Sequence, residues 1–147
     1  MSLIEQLNQD IKAAMKKRDK ETLSVLRMLK AAVQNAAIDK QSDLSQEEEV
    51  TIMSRELKQR QDSKREFEQA SREDLIEKVQ FEIEIVKQYL PQQLSVEEVK
   101  AELERLVDEL GITSKKEFGK LMGEATKQMK GQAEGSVIRD IAMELLN

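Results

Sequence analysis

Cysteine and histidine are both absent from this chain. Without cysteine there is no disulfide, no thiol nucleophile and no thiolate metal site. Without histidine the commonest general base and transition-metal ligand is gone, and with both missing a structural zinc site is not expected. Tryptophan is absent too, and Phe67, Phe81, Phe118 and Tyr89 are the only aromatics, so base stacking is not the expected mode of any nucleic-acid contact. Glycine and proline total six residues, which argues against a sheet protein with many tight turns. No apolar run approaches the length of a membrane span. The opening MSLIEQLNQD lacks a basic region followed by an apolar core, so it is not a secretory signal, and the default compartment is the cytoplasm.

What is present is helical patterning over 147 residues, 39% hydrophobic and 36% charged. Residues 2–17 place Leu3, Leu7, Ile11 and Ala14/Met15 at helical spacing, and residues 20–38, opened by Asp19, repeat the pattern with Leu26, Leu29 and Val33. Ser45 with Glu48 forms a capping-box signature before a long helix over roughly 45–68. Ser71 with Asp74 starts a fourth helix, running to about Leu90. Pro91, the one proline, cannot continue it and lies in YLPQQLS, residues 89–95. Ser95 with Glu98 is a second capping box, before Val99, Leu103, Leu106 and Leu110, and Gly111 is a C-cap candidate. Ser114 with Glu117 is a third, and a last helix carries Ile138, Ile141/Ala142 and Leu145. The expected fold is all-α, with two small helical sub-bundles of about four and three helices, 1–91 and 92–147, joined at the proline-containing linker.

All five glycines lie between Gly111 and Gly135. Gly119 and Gly123 stand one helical turn apart, although a glycine inside a helix costs about 1 kcal/mol relative to alanine. Such a pair points to close backbone approach, by another helix or by a ligand. Charge singles out the same region. The chain is net −5, and residues 92–110 hold six acidic and two basic side chains, yet residues 111–139 hold six basic and three acidic. Lysines 120, 127 and 130 beside glycine-exposed backbone make a candidate phosphate surface.

Other chemistry finds less support. Glu47, Glu48 and Glu49 read as a helix first turn, and Glu82 and Glu84 as solvated faces. The run Arg55, Lys58, Arg60, Lys64, Arg65, Arg72 alternates with carboxylates, and Glu56–Arg60 and Glu68–Arg72 have the favourable i,i+4 order, so it reads as intrahelical pairing. There is no G-x-S-x-G, Walker A or G-x-G-x-x-G pattern. No catalytic residue, metal ligand or cofactor site is expected.

GKLMG at 119–123, MKG at 129–131 and Gly135, together with SVLRMLKAA at 24–32, SRELKQRQDS at 54–63 and YLPQQLS at 89–95, resemble the YqeY family along the full length of the chain. That family is similar to the tail of the B subunit of the tRNA-dependent Glu/Asp amidotransferase. The resemblance implies an all-helical protein in two parts whose C-terminal part meets tRNA. It carries the glycine–lysine motif onto Gly119, Lys120, Gly123, Lys130 and Gly131, and departs from the usual pattern at Thr126, Gln132 and Glu134. The expectation is therefore a non-catalytic module that binds RNA, tRNA in the first place, through Gly119, Lys120, Gly123, Lys127, Lys130 and Gly131. The rival is a protein-interaction module that docks a partner through the same glycine face. A carbon–nitrogen ligase with glutamine as amido donor follows only from family association, because the domains that perform amide transfer have no room in this chain. A phosphate surface requires Lys120, Lys127 and Lys130 in solvent on one side, whereas a docking face requires Leu121, Met122 and Met129 exposed.

Overall fold

A computed structural model describes residues 1–147 and shows an all-α protein with no strand. Its helices are α1 (Leu3–Lys17), α2 (Lys20–Lys40), α3 (Gln46–Gln69), α4 (Glu73–Lys87), α5 (Val96–Leu110), α6 (Phe118–Gln128) and α7 (Gly135–Leu146), with a single 3-10 turn, Lys115–Glu117, before α6. They form two compact units, Met1–Leu90 and Pro91–Asn147.

The first unit packs α1 on α2 and α3 on α4. Its core joins Leu3, Leu7, Leu26, Leu29, Val33, Met53, Leu57, Ile83 and Val86, all at the spacing that marks one face of a helix. Side-chain caps start three of the four helices. Ser2 accepts from Glu5 N–H, Asp19 from Thr22 N–H and Ser45 from Glu48 N–H. Glu49 of α3 adds a long-range cap, accepting from Leu3 N–H at 3.0 Å, so the start of α1 is held by another helix.

Lys40, at the end of α2, donates to Glu48 Oε1 at 2.5 Å. With the Ser45 backbone and hydroxyl bonds added, this holds the Glu48 carboxyl at about 2, below its usual 4.5. A carboxyl depressed in the folded state contributes stability that is complete above its unfolded value and is lost as pH falls from 4.5 toward about 2. Denaturant midpoints followed down through that window are expected to fall further in the wild type than in Glu48→Gln, which lacks the titrating group. Parallel curves would refute this contribution.

Two helix starts differ from the sequence expectation. Ser71 does not open α4. It takes φ 55 and closes α3, with Ser71 N–H donating to Glu68 O and Arg72 N–H to Phe67 O. Arg72 occupies the cap position without a side-chain cap bond, and α4 ends at Lys87, before Leu90. Nor does Ser114 form a capping box. Glu117 N–H donates to the Ser114 backbone carbonyl instead, a 3-10 turn follows, and α6 starts only at Phe118.

Two polar readings also change. Glu82 is not on a solvated face. It accepts from Arg60 Nε at 3.0 Å, while Arg60 Nη1 donates to Glu56 Oε1 at 3.1 Å, and Arg60 is only 9% exposed. The expected Glu56–Arg60 pair is therefore one arm of a largely buried triad that joins α3 to α4. The expected Glu68–Arg72 pair does not form, and Arg72 pairs with Asp74 at 3.3 Å. Beyond α4 the chain turns at Tyr89, whose hydroxyl donates to Asp10 of α1. Burial and that carboxylate raise the Tyr89 pKa above the ordinary phenol value.

The second unit packs α5, α6 and α7 around Val99, Leu103, Leu106, Leu121, Ala125, Met129, Ile138 and Ala142. Ser95 and Glu98 form the capping box of α5, and Gly111 ends that helix at φ 65. That conformation strains any residue with a Cβ, which is why glycine stands there.

Candidate nucleic-acid interface

The site is built on α6 and the turn after it. At about 100° per residue, Gly119, Lys120, Gly123 and Lys127 fall within one arc of α6, and Leu121 and Ala125 on the opposite side. The apolar side is fully used. Leu121 and Ala125 are 0% exposed, Met129 is 1% exposed, and Met122 is half-buried. On the other side Gly119, Lys120, Gly123 and Lys127 are all exposed. A Cβ added at Gly119 or Gly123 would meet nothing within 4 Å, so neither glycine makes room for another part of this chain. Close helix–helix packing inside the protein, one of the two reasons for such a pair, is therefore not what they serve.

The lysines differ in their freedom. Lys120 Nζ lies 3.5 Å from Leu110 O, at the carbonyl end of α5, where a cation is favoured by the helix dipole. Lys127 and Lys130 are exposed and have no carboxylate partner. Lys115 and Lys116 extend the basic surface before α6 and are also exposed. The flank of α6 toward α5 is taken up by a hydrogen-bonded cluster that stays net acidic, with three carboxylates to one guanidinium. Arg105 donates to Glu102 at 2.8 Å, to Glu109 at 2.6 Å and to Gln128 at 2.8 Å, and Gln128 in turn donates to Glu124 at 2.9 Å. Hydrogen bonds to Glu102 and Glu109 raise the Arg105 pKa further. The only carboxylate between Lys120 and Lys130, Glu124, is thus engaged by Gln128.

Lys130 and Gly131 follow in the turn between α6 and α7. Gly131 adopts φ 78 and is half-buried, so its backbone conformation explains the glycine there. Its carbonyl accepts from Gln93 Nε2 at 2.6 Å, and the next carbonyl, of Gln132, accepts from Leu94 N–H at 2.8 Å. YLPQQLS and MKG are thus hydrogen-bonded neighbours, although Gln93 and Gly131 stand 38 positions apart in the sequence. Sequence reasoning missed Gln93, since nothing local to a glutamine after a proline marks a partner so distant.

No three Cys, His, Asp or Glu side chains converge as a metal-binding group. No helix is long and apolar enough to cross a membrane.

An all-helical protein with an exposed glycine–lysine face on its penultimate helix is the class that this geometry defines. The family model described as "Yqey-like protein" matches residues 4–146, and the chain belongs to the YqeY family. It is similar to the proteins named "Altered inheritance of mitochondria protein 41, mitochondrial". The one from Pyrenophora tritici-repentis is 28% identical over 140 residues, 91% of this chain and 75% of that protein. The one from Lachancea thermotolerans is 36% identical over 107 residues, 71% and 57%. The one from Kluyveromyces lactis is 35% identical over 124 residues, 78% and 66%. The alignments thus span only about 57% to 75% of these relatives' own length. Their names also correct the cytoplasmic expectation. Each is called mitochondrial, and the lack of a secretory pattern and of a membrane-length apolar run excludes destinations without selecting one.

Proposed function

We propose that this protein is a non-catalytic RNA-binding module that meets phosphates through the exposed face of α6 and the turn after it. Gly119 and Gly123 admit the backbone of the ligand, and Lys120, Lys127 and Lys130 neutralise it. tRNA is the RNA to test first, because the family's motifs resemble the amidotransferase tail. The observation that carries the reading is the division of α6. Leu121, Ala125 and, just past the end of the helix, Met129 are consumed by the core, while the glycines face open space on the side that carries Lys120 and Lys127, the latter without a carboxylate partner. A protein partner docking through exposed Leu121 and Met129 has no such surface to use. A partner helix laid along the glycines remains the rival. We further propose that residues 1–91 and 92–147 are separable domains, with RNA contact assigned to the second.

The direct test is tRNA binding by the full chain across a salt series, comparing wild type with variants of the three lysines. Binding that is absent, or that ignores salt, would overturn the reading.

The glycines give an independent test. Both have negative φ and free space around them, so Gly119→Ala and Gly123→Ala should raise stability by up to about 1 kcal/mol each. The double variant is expected to melt higher yet bind tRNA more weakly, because the methyl groups hold the ligand off the helix. A variant both more stable and equally tight would show that backbone approach plays no part.

A further inference from the structure

We propose that the strap Pro91–Ser95 and the turn Lys130–Gln132 form one latch, in which Gln93 is the positioning residue for Lys130. The part of this inference that concerns RNA rests on the reading of α6 given above. The amide of Gln93 uses both of its protons on backbone carbonyls, 3.0 Å to Pro91 O within the strap and 2.6 Å to Gly131 O across to the turn. Leu94 N–H adds the bond to Gln132 O at 2.8 Å, and the Leu94 side chain packs against the second core. On the turn itself, Gln132 N–H donates to Met129 O at 2.9 Å.

Lys130 is therefore fixed from both sides. Met129 before it is 1% exposed and anchored in the core, and Gly131 after it is held at φ 78 with its carbonyl engaged by Gln93. If the strap lifts, the carbonyls of Gly131 and Gln132 lose their partners, and Lys130 loses the turn that aims it. The strap begins at the proline that opens the second unit, so the latch lies where the chain enters that unit. By linkage, a phosphate that favours the closed turn must favour the closed strap by the same factor.

The informative substitution is Gln93→Glu. It is nearly isosteric, and at neutral pH it sets a carboxylate against two carbonyl oxygens in place of two N–H donors. Protonation in acid restores one donor. In the RNA-free full chain, hydrogen exchange is expected to show the Leu94 amide protection falling about five- to tenfold in the variant, as loss of one net hydrogen bond implies. That loss should partly reverse toward acid pH, and the wild type should show no such reversal. With tRNA, the wild-type Leu94 amide should become more protected. The Gln93→Glu variant should bind several-fold more weakly but keep the wild-type salt slope, because its lysines are intact, whereas Lys130→Ala should flatten the slope. Unchanged Leu94 protection in the variant would overturn the latch whatever RNA does. A loosened latch with unchanged tRNA affinity would overturn the positioning role while leaving RNA binding in place. A loosened latch in a protein whose wild type binds no tRNA would overturn the RNA reading itself, and the coupling with it.

Discussion

Replacing Lys120, Lys127 and Lys130 together by alanine is expected to weaken tRNA binding roughly a hundredfold or more at about 0.1 M salt. The size follows from counterion release. Each neutralised phosphate contributes about −0.7 to −0.9 to the slope of log affinity against log salt, so three contacts give a slope of roughly −2 to −3. Removing all three should leave a nearly flat line. The single variants should not be equal. Lys127 and Lys130 are exposed and without carboxylate partners, so each should remove close to one contact. Lys120 is drawn to Leu110 O and must leave that carbonyl to reach a phosphate, so its loss should matter least. All three should weaken different RNA sequences about equally, since phosphate contacts carry no base information. Identical salt curves for wild type and a folded triple variant would remove RNA from this surface and leave the partner-helix reading in front.

The largest loss of stability is expected from Arg60→Ala. That change leaves Glu56 and Glu82 facing each other in a site where all three side chains are at most 16% exposed. Breaking a buried pair by removing one partner costs about 3–5 kcal/mol, a large share of the 5–15 kcal/mol that holds a typical domain together. Replacing the whole triad by apolar residues of similar volume should recover most of that loss, because it also removes the cost of burying the charges. Equilibrium denaturation of the single and triple variants measures both. A loss below about 1 kcal/mol for Arg60→Ala would mean that the triad is hydrated and acts as an ordinary surface pair.

The helices themselves were legible in the sequence because their signals are local. Leu3, Leu7, Leu26, Leu29, Leu103 and Leu106 all sit where their spacing put them, and the boxes at Ser45 and Ser95 form as written. What was not legible depends on partners distant in the chain or on competition between two local options. Glu82 looked solvated because its spacing from Glu84 says nothing about a guanidinium 22 positions earlier. Ser114 carries the same letters as Ser45 and Ser95, yet the backbone carbonyl took the amide that its hydroxyl would have capped. At the candidate site, the residue types and the shared face of Gly119, Lys120, Gly123 and Lys127 followed from the helical period. The openness around the two glycines did not, since an empty volume is a property of everything that fails to pack there. Gly131 is grouped with them by motif, and the turn it holds at φ 78 was not legible in that motif.

The tie between Tyr89 and Asp10 gives the protein an optical property of its own. There is no tryptophan and only one tyrosine, so absorption and emission in the near ultraviolet come mainly from a single phenol. In the folded chain that phenol is hydrogen-bonded to a carboxylate, an arrangement that quenches tyrosine emission, and its proton is held beyond the ordinary alkaline range. Unfolding of the first unit should therefore brighten the molecule and return its ionisation to that of free tyrosine. The second unit, whose one aromatic is Phe118, adds little to that emission, so one fluorophore reports on the first unit without any label.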